Sequence, residues 1–330
     1  MMLYPELLTP QHNKIGITAP SCGIIHKLDE YEKSIEKFKE QGYEIVETDN
    51  VRTDGDVSSS SKERADQLMD LVKDKSVNFI MCATGGDFLT DMLPYVDFDF
   101  LKNNPKWMMG ASDPTNLLYI NTTRNDIASL CGHNAGSFGA SILHESQKNV
   151  FEFIKGNIVD QHSYDLYEDK NNDRIDDNYN LTEKVRWYSN KDKVDITGRI
   201  IGGCIDCLRY LPGTKYDFTQ KFVEKYKNDG IIFYFDIFSM SSEDFYLTLF
   251  QLREAGWFKY LKGVIVGRVL FSSGFTSMTY YKALSEILGD IPIIMDADIG
   301  HVAPKMSIIN GSICNIKYEN NKGVIKQYLK

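Results

Sequence analysis

Between Lys14 and Met109 the chain alternates short apolar runs with polar stretches whose apolar residues recur at helical spacing. Lys14 to Thr18, Tyr43 to Thr48, Val77 to Cys82 and Lys106 to Met109 read as strands. Leu28 to Gln41 and Ser60 to Lys73 read as helices, and a further helix is expected from Pro114. Strand–helix alternation demands a mainly parallel sheet with helices on both faces, because each parallel step needs a crossover. In such doubly wound sheets, sites gather beyond the carboxyl ends of the strands. Gly85-Gly86 follows one predicted strand and Ser112 another, so both fall at that edge.

A chain of 330 residues is long for one core and fits two domains. The alternation breaks between about Gly156 and Asp192, and Glu168 to Asn180 is so polar that it has little to bury. The expected division is an α/β domain over 1–155, a polar linker over 156–192 and a second domain over 193–330. Within the linker, Asp169, Asn171 and Asp173 have the spacing of a calcium loop. Arg174 stands where that loop needs Gly and Asn180 where it needs Glu, which favours a solvated segment. The second domain carries strand-like runs at Ile196 to Ile201, Ile231 to Ile237, Val264 to Val269, Ile291 to Met295 and Ser312 to Tyr318. Ser242 to Ala255 and Thr276 to Leu288 read as helices, and Gly311 to Tyr318 with Gly323 to Tyr328 as a hairpin.

Net charge of −9 argues against binding to a phosphate backbone, and no apolar run approaches the roughly 20 residues that span a bilayer. The first residues lack a basic segment followed by an apolar one, so a cytoplasmic location is expected. The six cysteines, Cys22, Cys82, Cys131, Cys204, Cys207 and Cys314, lie mostly in apolar or glycine-rich runs and are expected to be free thiols. Cys204 and Cys207 have CxxC spacing, yet no second ligand pair of matching spacing accompanies them, and no metal or cofactor is expected.

Ser112 lies between an apolar strand and an apparent helix start. Such a turn exposes a hydroxyl beside backbone N–H groups, although Ser112 or Asp113 at that position also suits a plain helix cap. Gly85-Gly86 permits close backbone approach to a ligand, or forms an ordinary strand-to-helix turn. Among six histidines, His301 follows Gly300 after a strand ending near Asp296. Asp236 ends the apolar run Ile231 to Phe235, where an isolated buried carboxylate would be costly. Asp236, Asp296 and Asp298 compete as the group that would orient His301. Serine needs an activating base and that base an orienting group, so these segments together suit a serine hydrolase.

The order and wording of the segments resemble the LD-carboxypeptidase family, which also contains the microcin C immunity peptidases. The resembling blocks are Ala19-Pro20-Ser21, then Ala83-Thr84-Gly85-Gly86 with Leu93-Pro94-Tyr95, then Gly110-Ala111-Ser112-Asp113-Pro114-Thr115 and Gly132-His133-Asn134. Gly202-Gly203 with Leu211-Pro212-Gly213-Thr214, Gln251-Leu252, Ala255-Gly256-Trp257-Phe258, Gly267-Arg268, Pro292 and Gly300-His301 complete the set. The resemblance implies a doubly wound N-terminal domain, a β-rich α/β C-terminal domain and a site between them. It further implies Ser112 as nucleophile, His301 as base and Asp236 where the family has glutamate, with the N–H groups of Gly86 and Asp113, beside Gly85, binding the oxyanion. The implied activity is a serine carboxypeptidase, acting on murein tetrapeptide or on a peptidyl-nucleotide antibiotic. A small peptide or muropeptide partner, no nucleic acid or membrane, and a homodimer go with it. A non-catalytic peptide-binding homologue is the rival that the Asp in place of Glu suggests.

Overall fold

The computed structural model describes residues 1–171 and 173–330, and the chain divides into two compact units. The first takes residues 1–159 with 173–179, and the second residues 160–172 with 180–330.

In the first unit the elements run β1 (Lys14–Thr18), α1 (Leu28–Glu40), β2 (Glu44–Glu47), α2 (Ser61–Lys73), β3 (Val77–Cys82), α3 (Phe98–Asn103), β4 (Trp107–Gly110), α4 (Thr115–Asn125), β5 (Ser129–Cys131) and α5 (Glu145–Ile154). The strands lie in the order β2-β1-β3-β4-β5, and every neighbouring pair is parallel. The strand order reverses between β1 and β3, which is where open α/β sheets leave a crevice beyond their carboxyl ends. Helix α2 starts where Ser60 and Glu63 form a reciprocal capping box. Helix α1 buries Tyr31, Ile35 and Phe38, and the Phe38 ring meets those of Phe138 and Phe151 at 5.0 Å each.

Buried Arg64 on α2 braces the edge of the sheet. Its Nη1 donates to the carbonyls of Pro20 and Phe88 at 3.0 Å each, tying together the loops that follow β1 and β3. The two loops also touch directly, because a side chain at Gly86 would place its Cβ 2.2 Å from Ser21 Oγ. Gly86, at φ +145°, therefore has no room for another residue.

The second unit contains β6 (Gln161–His162), β7 (Leu166–Glu168), β8 (Leu181–Lys184), β9 (Tyr188–Ser189), β10 (Lys193–Cys204), α6 (Ile205–Leu208), α7 (Thr219–Lys225), β11 (Ile231–Asp236), α8 (Ser242–Glu254), β12 (Leu261–Gly267), α9 (Tyr280–Leu288), β13 (Ile293–Ala297), β14 (Ile308–Asn310), β15 (Ile313–Glu319) and β16 (Lys322–Tyr328). Its sheet has the order β6-β16-β15-β10-β11-β12-β13-β9. The centre, β10 to β13, is parallel, and antiparallel strands flank it on both sides. All six residues of β11 are buried, as expected of a strand covered on both faces. The expected hairpin forms between β15 and β16.

The expected linker over 156–192 is corrected by this architecture. Strand β6 pairs with β16, β7 and β8 form a hairpin, and β9 pairs with β13. The signal that polarity hid is Val185-Arg186-Trp187, whose Val and Trp are buried. Trp187 lies over Gly323, where an added Cβ would come within 1.9 Å of the indole, and its Nε1 donates to Asp298 Oδ2 at 3.0 Å. A side chain in a linker would be dispensable. Trp187→Ala is instead expected to cost about 3–5 kcal/mol, from lost burial and the cavity left behind. Chemical denaturation followed by circular dichroism measures this, and a variant as stable as the parent would return the segment to linker status.

Candidate active site

Ser112 follows β4 in the first unit and adopts φ +66°, in the left-handed region. A non-glycine residue there is strained by roughly 1–2 kcal/mol, and such strain in the turn from strand to helix exposes a nucleophile's hydroxyl. The surroundings hold the turn. Asn134 clasps Ala111 on both sides, accepting from its N–H at 2.9 Å and donating to its carbonyl at 3.2 Å. The Ser112 carbonyl accepts from Thr115 N–H at 2.9 Å, which begins α4. Space beside the hydroxyl is kept by Gly85, where a Cβ would lie 2.9 Å from Ser112 Cβ and 3.1 Å from Oγ. Gly85 thus adjoins Ser112, while Gly86 adjoins Ser21 and Cys22.

The Asp113 side chain turns inward and is buried. Its Oδ2 accepts from Ser21 Oγ at 2.5 Å and from Leu89 N–H at 2.7 Å, linking the loops after β1, β3 and β4. Burial pushes this carboxyl above its ordinary range, and the two donors partly counter the rise. Its side chain is structural, which leaves its backbone N–H as the part relevant to an oxyanion.

In the second unit, Asp236 ends β11 and His301 follows β13 by a short turn. The imidazole Nδ1 lies 2.6 Å from Asp236 Oδ2, and the His301 backbone N–H donates to Oδ1 at 3.0 Å. The side-chain contact departs from the axis of the ring N–H, so neither ring nitrogen has a well-aligned hydrogen bond among the described residues. The intervening turn has a strict steric condition. Gly300 has φ +96°, and a Cβ on it would sit 2.1 Å from Asp236 Oδ1. The Phe238 ring packs 4.9 Å from the imidazole, and the turn bearing Phe238 is fixed by Asp206, which accepts from the N–H groups of Phe238 and Ser239 at 2.9 and 3.0 Å.

Of the competing carboxylates, Asp298 is engaged elsewhere and Asp296 lines a cavity. Asp298 is fully buried and accepts from Tyr164 N–H at 3.0 Å, Trp187 Nε1 at 3.0 Å and Arg268 Nη2 at 2.6 Å. Burial pushes its carboxyl up, while Arg268 and these donors draw it back. Asp296 faces a cavity of about 430 Å³ lined also by Tyr167, Lys184, Arg186 and Arg268. Arg268 stacks over the Tyr167 ring at 4.3 Å, and its Nη1 has no partner among the described residues.

Sequence reasoning missed Cys204. The parallel register of β10 and β11 sets Cys204 opposite Asp236, and Cys204, Asp236 and His301 offer ligand atoms within 4.8 Å of one another. Nothing in the CxxC spacing indicated this, because the neighbours come from other strands. Neither Cys204 nor any of the other five cysteines is in a disulfide among the described residues.

No helix among the described residues is long and apolar enough to cross a membrane. The model of the LD-carboxypeptidase N-terminal domain matches residues 15–132, and that of the LD-carboxypeptidase C-terminal domain matches residues 197–316. The microcin C7 self-immunity protein MccF of Escherichia coli is 26% identical over 314 residues, covering 90% of this chain and 88% of its own. A solved MccF-like protein from Bacillus anthracis str. Ames aligns with a TM-score of 0.85 at 23% identity, covering 99% of this chain and 100% of its own. A solved muramoyltetrapeptide carboxypeptidase from Oxalobacter formigenes aligns with a TM-score of 0.73 at 21% identity, covering 95% and 98%. At those identities the two structures speak for the shared α/β fold. With both of its domains matched in order over well over half the residues, the chain belongs to the LD-carboxypeptidase family of serine peptidase-like hydrolases.

Proposed function

We propose that the protein is a serine carboxypeptidase that removes the C-terminal residue of a small peptide, with the L,D bond to the terminal D-alanine of murein tetrapeptide as the favoured target. The observation that carries this reading is the Asp236–His301 pair, an imidazole held at 2.6 Å by a buried carboxylate while its Nε2 remains without a hydrogen-bond partner among the described residues. Such a ring is oriented and has a nitrogen left to take a proton.

In this reading Ser112 Oγ attacks the scissile carbonyl carbon as His301 Nε2 takes the hydroxyl proton. The carbonyl oxygen becomes an oxyanion, bound by the N–H groups of Gly86 and Asp113. The protonated imidazole, stabilised by Asp236, gives its proton to the leaving amine as the C–N bond breaks. Water then hydrolyses the acyl-serine ester through the same base. A carboxypeptidase must also recognise a free carboxylate. Arg199 is occupied by Asp229 at 2.8 Å, and Arg209 lies over the Tyr210 ring. Arg268 lines the cavity with an unpartnered Nη1 and is the candidate. A cytoplasmic location, a role in cell-wall recycling and a homodimer belong to the same proposal and are taken from the resemblance.

A second reading is supported by the E. coli relative, which is named for self-immunity to microcin C7. In it the same groups would hydrolyse a peptidyl-nucleotide antibiotic. Incubation with muropeptides of defined stereochemistry and with a peptidyl-nucleotide, followed by mass spectrometry, separates the two. Release of D-alanine alone supports the first reading, and cleavage of the nucleotide conjugate alone supports the second.

Ser112→Ala is expected to reduce turnover on the order of a millionfold with the fold retained, as for loss of a triad nucleophile. Near-parental activity in the purified variant would remove Ser112 from the mechanism. A serine-directed phosphonate should label the parent at Ser112, and an inert parent would favour a non-catalytic binding protein.

Asp236→Asn should lower turnover by up to roughly ten-thousandfold, since an amide favours the wrong tautomer of the ring. Asp236→Glu should retain activity, whereas Asp298→Asn should act chiefly on stability. Steady-state kinetics beside thermal melting tests this, and the reverse pattern would transfer the orienting role to Asp298.

A further inference from the structure

Cys204 and Asp236 at the carboxyl ends of adjacent strands, with His301 in the turn after β13, bring one thiol, one carboxylate and one imidazole together, with ligand atoms within 4.8 Å of one another. These are the donor types that zinc prefers, and three protein ligands with a fourth position left open make a recurrent zinc geometry. A second observation points the same way. Both imidazole nitrogens are buried without a well-aligned partner among the described residues, so the ring has a lone pair to give. The Asp236 carboxyl group stands beside it, with Oδ2 2.6 Å from Nδ1. We propose that Cys204, Asp236 and His301 form a site for Zn²⁺ whose occupation withdraws the base from the hydrolytic reaction.

Ligation exchanges the proton of the Cys204 thiol for the metal. Cys204 is held as a neutral thiol, because its hydrogen bond with Cys207, its burial and the nearby charges of Asp236 and Asp206 all push its proton affinity up. Zinc binding therefore releases one proton to solvent and leaves a thiolate, a carboxylate and a neutral imidazole around the ion. The site differs from a CxxC site. Cys207 is a hydrogen-bond partner of Cys204, and the other two ligands come from β11 and the turn after β13. It also differs from a resident catalytic metal, since the proposed hydrolysis uses His301 free of any ion. The binding claim stands independently of that reaction, and only the inhibition rests on it.

The test uses the purified full chain and zinc chloride. Calorimetry should give one zinc per chain. Cys204→Ser and His301→Ala should each weaken binding at least about tenfold, since loss of even an outer partner of a metal ligand costs that much. Cys207→Ser should leave it unchanged. Cobalt in place of zinc should give a near-ultraviolet thiolate charge-transfer band in the parent that is absent in Cys204→Ser. With an active substrate in hand, zinc should inhibit the parent, chelator alone should leave it active, and Cys204→Ser should be active and at least about tenfold less sensitive to zinc. Absence of stoichiometric zinc in the parent, or equal affinity in Cys204→Ser, would overturn the site. Zinc bound at the three ligands with hydrolysis undiminished would uphold the site and remove His301 from the reaction instead.

Discussion

A buried carboxylate at the end of a buried strand sets the terms for the second unit. Asp236 closes β11, whose residues are all buried, so its charge must be met by donors close at hand. They come from one turn. The backbone N–H of His301 reaches Oδ1 and the ring Nδ1 approaches Oδ2, which fixes both the turn and the imidazole by a single side chain. The condition for this closeness is Gly300. Any Cβ there would overlap Oδ1, and φ +96° is unfavourable for other residues. The position of His301 is thus a consequence of how Asp236 is solvated by the protein.

The first unit solves a different problem at the same edge of its sheet. There the strained residue is Ser112 itself, and its conformation is kept by neighbours that gain from it. Asn134 satisfies both polar groups of Ala111, and the start of α4 satisfies the Ser112 carbonyl. Asp113 turns its carboxylate inward to bind the loops after β1 and β3, and buried Arg64 on α2 braces the same two loops. A polar side chain with several partners over-determines a turn in a way that apolar packing alone does not. That is how about 1–2 kcal/mol of backbone strain persists.

What sequence could show followed from local pattern. The alternation between Lys14 and Met109 contained the parallel sheet, because apolar runs of strand length and helical spacing are properties of neighbouring residues. Ser112 and Gly85 stood out because strand ends and glycines are visible in a linear string. The segment over 156–192 was misjudged because its polarity is real, while the few residues that dock it, Val185 and Trp187 above all, are scattered within charged neighbours. The choice among Asp236, Asp296 and Asp298 was not legible in local pattern either, and Asp236 came from the family resemblance alone. It depends on which carboxylate meets the imidazole and which meets Arg268, and both partners lie far away in sequence. Cys204 stayed hidden for the same reason, since register across strands is invisible to spacing within one.

The length of the orienting side chain decides how firmly the imidazole is held. Aspartate falls one methylene short of the glutamate that the family resemblance places at this position, a deficit of about 1.5 Å in reach. That deficit leaves three outcomes: a bridging water, a loose ring, or a backbone that comes to meet the carboxylate. The distances exclude the first. At 2.6 Å between Nδ1 and Oδ2 there is no space for a water, and the His301 backbone N–H donates to Oδ1 of the same carboxylate. The approach has a geometric consequence. A carboxylate tied to the backbone by one oxygen cannot also align its other oxygen freely with the ring N–H, and the observed contact indeed lies off that axis. The short side chain therefore gains proximity at some cost in direction, and it holds the ring by a close contact to one oxygen and a backbone tie to the other.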